Sequence, residues 1–120
     1  MPQDQPRIMI VEDELLIAMD VEAALLDQSW RVLGPVPDVA RALAMLETVT
    51  PDAVCLDMNL NGTLSAPIAE VLKQRDIPFV IVTGYNDRNV TDPAFAGAPI
   101  VHKPFSAEAL AQRIGQLLPT

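Results

Sequence analysis

The sequence predicts an α/β fold built on a parallel sheet, and three observations lead there. Five apolar runs begin near residues 7, 31, 53, 79 and 99, at nearly even intervals. The segments between them carry apolar residues at steps of three and four, the spacing of a helix with one buried face. Four of the five runs also end in residues suited to phosphate chemistry. Arg7-Ile8-Met9-Ile10-Val11 runs into Glu12-Asp13, and Ala53-Val54-Cys55-Leu56 into Asp57. Phe79-Val80-Ile81-Val82 runs into Thr83, and Ile100-Val101-His102 into Lys103. Alternating strands and helices imply parallel strands, right-handed crossovers and helices on both faces. Such sheets bind ligands at the carboxyl ends of their strands.

Each connecting segment has its own signature. Glu14 to Gln28 places Ile17, Val21, Ala24, Leu25 and Gln28 along one side of a first helix. Asp38, after Pro37, caps a second running to about Thr48, with Val39, Leu43 and Leu46 inward. Ser65 with Pro67 opens a third through Leu72. Asp92-Pro93 opens a short fourth. Ser106 caps a fifth, in which Glu108 suits the positive helix end and Leu110, Ile114, Leu117 and Leu118 form the buried face. Residues 1–6 read as a frayed tail, and only Pro119-Thr120 follows the last helix, so the expectation is one domain over residues 1–120 with no room for an effector domain.

Composition narrows the function. Half of the 120 residues are apolar, which marks a globular chain. Sixteen acidic against eight basic residues leave a net charge of −8, which argues against nucleic-acid binding through a basic face and against docking on anionic membrane. The single cysteine, Cys55, lies inside an apolar run and reads as a buried core residue. The N-terminal Met-Pro-Gln-Asp-Gln-Pro lacks a signal-peptide pattern, and no run approaches the ~18 apolar residues of a membrane span, so a cytoplasmic location is expected. Met9, Met45, Met58 and Trp30 read as packing residues. His102, with no Cys or His partners, reads as a sheet-face residue rather than a metal ligand.

The chemistry centres on Asp57. A carboxylate directly after an apolar strand faces solvent at the strand end, and carboxylates can attack phosphoryl groups to give acyl phosphates. Glu12 and Asp13 then suit Mg²⁺, which takes hard oxygen ligands. Lys103 can pair with phosphoryl oxygens, and Thr83 offers them a hydroxyl. Taken singly, Asp13 could cap the first helix and Thr83 could bond locally; together the set points to one cleft.

Glu12-Asp13, Asp57, Thr83 and Lys103-Pro104-Phe105, at these separations, resemble the receiver domain of bacterial two-component response regulators over essentially the whole chain. The resemblance implies a flavodoxin-like (βα)5 fold with a five-stranded parallel sheet in the order 2-1-3-4-5. By position, Asp57 would be the phosphoacceptor. Asp13, Asp57 and the backbone carbonyl of Asn59 would bind Mg²⁺, with Glu12 acting through a water. Thr83 would be the switch hydroxyl and Lys103 the counter-ion, followed by a cis bond to Pro104. Three positions depart from the pattern. Ile100 stands where the family carries an aromatic switch ring. The loop after Asp57 has Asn61-Gly62 where the family often has a proline at 61, although Asn-Gly is itself a turn signal. Gly84-Tyr85 follows Thr83, leaving the cleft mouth uncrowded and placing a ring beside it.

Ile81-Val82-Thr83-Gly84-Tyr85 is similar to the Phe-Ala-Thr-Gly-Tyr run of a mostly alphaproteobacterial subgroup of stand-alone receivers, and Leu60-Asn61-Gly62 and Pro67-Ile68-Ala69 add to the likeness. That subgroup tends to work with histidine kinases of the general stress response, and Tyr85 would replace the ring missing at Ile100. Leu15, Met19, Ala23 and Leu26 form a second apolar stripe on the first helix, suited to docking a partner helix such as that of a histidine kinase.

The leading reading is a single-domain response regulator, not an enzyme, that takes a phosphoryl group onto Asp57 from a histidine kinase or phosphotransfer protein. Phosphorylation would then switch binding to a downstream protein, with the chain a monomer or a weak dimer on phosphorylation. A phosphate sink or shuttle and a phosphorylation-independent interaction module are the alternatives. A haloacid-dehalogenase-type phosphatase is disfavoured. Its Asp-x-Asp-x-Thr loop is only faintly echoed in the residues from Asp57 to Leu64, Asn59 stands where the second acid belongs, and the chain is too short.

Overall fold

The computed structural model describes residues 5–84 and 92–119. Five parallel strands form the main sheet: β1 (Arg7–Val11), β2 (Arg31–Val36), β3 (Ala53–Asp57), β6 (Phe79–Thr83) and β7 (Ile100–His102). A small antiparallel hairpin, β4 (Asn59–Leu60) and β5 (Thr63–Leu64), stands apart from it. The sheet order is β2-β1-β3-β6-β7, the flavodoxin-like order expected from the sequence once the hairpin strands are set aside. Strands β1, β3 and β6 read as continuous apolar runs because helices cover both of their faces.

Alternation along each strand divides the core in two. Ile8, Ile10, Cys55, Val80 and Val82 point to one side, against α1 (Leu15–Asp27) and α4 (Ala107–Leu117). Met9, Val11, Leu56 and Ile81 point to the other, against α2 (Val39–Thr48) and α3 (Ala66–Gln74). Cys55 is buried, as expected, and its thiol is pushed up by that burial. Trp30 packs on the α1/α4 side, its ring close against Gly115 of α4.

The caps follow the sequence where the local chemistry is strong. The Asp38 carboxylate accepts from the Arg41 amide at 2.8 Å, and the Ser106 hydroxyl from the Ala109 amide at 2.9 Å. Ser65 does precede α3, but its buried hydroxyl makes no cap bond. Helix α1 begins with Glu14 as its capping residue rather than Asp13, and Gln28, placed inward by periodicity, is exposed beyond the helix end. The fourth expected helix is, among the described residues, a single 3₁₀ turn over Pro93–Phe95, capped by the Asp92 side chain. Two prolines and a glycine between residues 93 and 99 leave that segment little scope for a longer helix. No helix of the described residues is long and apolar enough to cross a membrane.

Candidate functional site

The carboxyl ends of β1, β3, β6 and β7 meet at one edge of the sheet, bringing together Glu12, Asp13, Asp57, Thr83 and Lys103. Glu12, Asp13 and Asp57 each offer a carboxylate oxygen within 4.8 Å of the others. The Lys103 ammonium lies 3.3 Å from Asp57 Oδ2 and 3.5 Å from Glu12 Oε1. Asp57, expected to face solvent at its strand end, is instead only 3% exposed, and Glu12 6%, because the loops after the strands close over the sheet edge, so these charges sit where water screens them poorly.

Local backbone geometry fixes where the acids sit. The Glu12 carboxylate accepts from the Glu14 amide at 3.0 Å and so stays folded over the start of α1. Asp13 Oδ2 accepts from the Asn61 amide at 3.1 Å, which ties the loop after β1 to the hairpin after β3. That hairpin turns at Asn61-Gly62, whose φ values of 53° and 86° are both left-handed, as a two-residue type I′ turn requires. Asn59 begins the hairpin, and its side chain accepts from the Gly62 amide at 2.6 Å. The turn signal is legible in the sequence; the hairpin it closes is not.

The electrostatics are those of an acid-rich site. Burial and the charge on Glu12 push Asp57 up to about 8 from an ordinary value of 3.8. Burial also raises Glu12. Burial works against the Lys103 ammonium, but the adjacent Asp57 and Glu12 carboxylates outweigh it and hold the lysine above its ordinary range. Three convergent carboxylates facing one ammonium leave surplus negative charge, the condition in which a hard divalent cation binds oxygen donors. The residues present fit such an ion.

Two contacts lie beyond what the sequence predicts. Glu14 Oε1 reaches Lys103 Nζ at 3.2 Å, adding a third acid to the lysine's surroundings. The available signal is the run of three acids after β1, but periodicity assigns Glu14 only to the first helix. Thr83 Oγ1 lies 2.8 Å from His102 Nδ1 rather than being bonded within its own segment. Strand register makes these two residues neighbours, and register across a parallel sheet is not readable from one chain.

The remaining predicted positions are dispersed. Ile100 is half-buried against the α2/α3 core, and Phe105 is half-buried against the α1/α4 core. The Lys103–Pro104 bond is cis. Gly84 and Lys103 border a groove of about 700 Å³ between α1 and α4, also lined by Ile17, Asp20, Phe105 and Glu108. Leu15 and Met19 are 68% and 52% exposed on the outer side of α1. Tyr85 lies outside the described residues.

The response regulator receiver domain family matches residues 8–115. The chain belongs to this family. Among solved structures it resembles SdrG from Sphingomonas melonis Fr1, with 42% identity and a TM-score of 0.82 over 97% of this chain and 98% of that one. Among curated proteins it is 30% identical to the phyllosphere-induced regulator PhyR of Methylorubrum extorquens, over 92% of this chain and 43% of PhyR. It is 29% identical to the transcriptional regulatory protein PdtaR of Mycobacterium tuberculosis, over 90% of this chain and 54% of PdtaR. The chain thus spans about half the length of these curated relatives. The fold expected from the sequence is therefore that of the family, and the chain is a signalling receiver of two-component systems.

Proposed function

We propose that Asp57 is the phosphoacceptor, taking a phosphoryl group from a histidine kinase or a histidine phosphotransfer protein. The observation that carries this reading is the convergence of Glu12, Asp13 and Asp57 within 4.8 Å, with Lys103 3.3 Å from Asp57. Asp13 and Asp57, with the Asn59 carbonyl, would hold Mg²⁺, and Glu12 would act through a bound water. The ion's chemistry is to neutralise charge on the transferred phosphoryl oxygens. An Asp57 carboxylate oxygen forms the new P–O bond as the donor's N–P bond breaks, and the donor imidazole leaves with the bonding pair. Lys103 stays beside the new acyl phosphate as its counter-ion. Thr83 supplies a hydroxyl to the phosphoryl oxygens, and Gly84 keeps the mouth of the cleft open to the donor.

Leu15 and Met19, beside the cleft on α1, form the docking face for the donor's helices. Phosphorylation alters binding to a downstream protein, with the chain acting in the cytoplasm as a monomer or a weak phosphorylation-dependent dimer. Ile100 provides no aromatic ring for the coupling, so the output route differs from the family pattern there. Phe105, after the cis Lys103–Pro104 bond, anchors the segment that follows Lys103 to the α1/α4 core.

The test is intact mass after incubation with acetyl phosphate and Mg²⁺. A gain of one phosphate in the wild type, absent in Asp57→Ala, supports the reading. No gain with acetyl phosphate or with a phosphorylated donor protein overturns it in favour of a phosphorylation-independent interaction module.

A further inference from the structure

Thr83 ends β6 almost fully buried, at 2% exposure, while its register partner His102 is exposed on β7, an edge strand of the sheet. The backbone around Thr83 is fixed, because its carbonyl accepts from the Lys103 amide at 2.9 Å and continues the β6–β7 pairing. A threonine held in a strand can move its hydroxyl only by rotating about its Cα–Cβ bond between discrete staggered positions. In the position seen here the hydroxyl is spent on His102 Nδ1 at 2.8 Å. Ile100, two residues earlier on β7, is packed against the α2/α3 core beside its own partner Ile81. The side of β7 that carries Ile100 and then His102 therefore offers Thr83 an imidazole where the family pattern would supply a swinging ring.

We propose that His102 is a positioning residue for Thr83, holding its hydroxyl in the resting rotamer of the unphosphorylated chain. Engagement of the hydroxyl by a phosphoryl group then requires this bond to break, and the exposed imidazole reports the change at the surface. This rests on the role proposed above for Thr83. Only the fraction of molecules with a released hydroxyl is ready to meet the phosphoryl group, so the bond lowers the effective rate of phosphorylation.

Its net strength as a single hydrogen bond sets the size of the effect. His102→Leu should phosphorylate about threefold to tenfold faster with acetyl phosphate and Mg²⁺. His102→Asn, which keeps a polar atom near the Nδ1 position, should return toward the wild-type rate. In a Thr83→Val background His102→Leu should change nothing, because the partner hydroxyl is already gone. The chain has one histidine, so its ¹⁵N imidazole signals come from one residue and only Nδ1 and Nε2 need be told apart. In the unphosphorylated protein the Nδ1 signal should move on Thr83→Val, and in the wild type it should move again on phosphorylation.

Equal acceleration in both backgrounds, no acceleration in either, a His102→Asn rate equal to that of His102→Leu, or an Nδ1 signal indifferent to Thr83→Val would overturn the proposal while leaving Asp57 as acceptor. A wild type that gains no phosphate overturns the underlying reading and this proposal together, and is recognised by mass before any variant is compared.

Discussion

The two halves of the cleft differ in how far they are assembled. On the β1/β3 side, three carboxylates from two strand ends already converge, and Lys103 from β7 already pairs with Asp57 and Glu12. On the β6/β7 side, Thr83 is turned onto His102, and Ile100 is packed half-buried against the α2/α3 core. The half that would perform the transfer is built before any phosphate arrives. The half that would transmit the result is held in another arrangement. The contrast has a physical basis. Charge stabilisation is most effective when the charges need no reorganisation at the moment of reaction, whereas a switch needs two states of similar free energy.

The largest expected effect falls on the assembled half. Asp57→Ala should abolish the phosphate mass gain entirely, and chelation of divalent cations should suppress the wild-type rate nearly as far. Lys103→Met keeps the length of the side chain but removes its charge, and should slow transfer from acetyl phosphate by about 10²-fold, the scale of losing one preorganised stabiliser of developing charge. If Lys103→Met phosphorylates at the wild-type rate, the ammonium 3.3 Å from Asp57 is structural and the comparison of the two halves fails.

A stability measurement sharpens the same comparison. In the cation-free chain Asp57 is pushed up to about 8 from 3.8, chiefly by burial and then by Glu12. Between these values the folded state binds a proton that the unfolded chain has released, so stability falls as pH rises. Asp57→Asn cannot ionise and escapes the loss. In urea unfolding with chelator, its advantage over the wild type should be near zero at pH 4 and grow to about 1–3 kcal/mol by pH 8. Adding Mg²⁺ should narrow or reverse that advantage, because the ion stabilises the wild-type acid cluster by mass action. An advantage that does not vary with pH would show that the surplus negative charge is not felt.

The same division marks what the sequence disclosed. The five strand starts and the Asp38 and Ser106 caps come from local pattern, because periodicity and capping act over a few residues, and the convergence of the acids follows once those runs are taken as parallel strands. Glu14 on Lys103 and Thr83 on His102 could not be read, since one depends on a rotamer across the cleft and the other on register between strands. The Asn59–Leu64 hairpin falls between these cases. Its turn residues announce themselves, but two-residue strands are too short to carry an alternating pattern. Asp92-Pro93 is a good helix opening, and it yields only a 3₁₀ turn because an opening alone does not set the length of the helix behind it.

The outer face of α1 offers a way to test donor docking apart from the chemistry. Leu15 and Met19 lie outside both core clusters and are exposed, so charging them should leave folding intact. Leu15→Glu with Met19→Glu should reduce kcat/KM for transfer from a cognate donor protein by about tenfold or more, the loss of one or two interface anchors. It should leave the acetyl phosphate rate within about twofold, since neither residue is among the cleft groups. Equal loss with both donors would mean that the helix face supports the cleft itself rather than a docking partner.

The smallest effect concerns Glu14, which draws on the same lysine from outside. It contacts Lys103 at 3.2 Å, closer than either buried acid, yet its side chain is 59% exposed. Water and salt screen such a pair, and exposed ion pairs contribute on the order of 0.2–1 kcal/mol. Glu14→Gln therefore frees Lys103 only slightly toward Asp57 and should raise the rate with acetyl phosphate by no more than about fivefold, with the gain fading at high ionic strength. A larger, salt-insensitive gain would show that Glu14 competes with Asp57 for the ammonium in earnest. In that event the assembled half of the cleft would carry a restraint of its own, and the contrast with the Thr83–His102 side would narrow to one of degree.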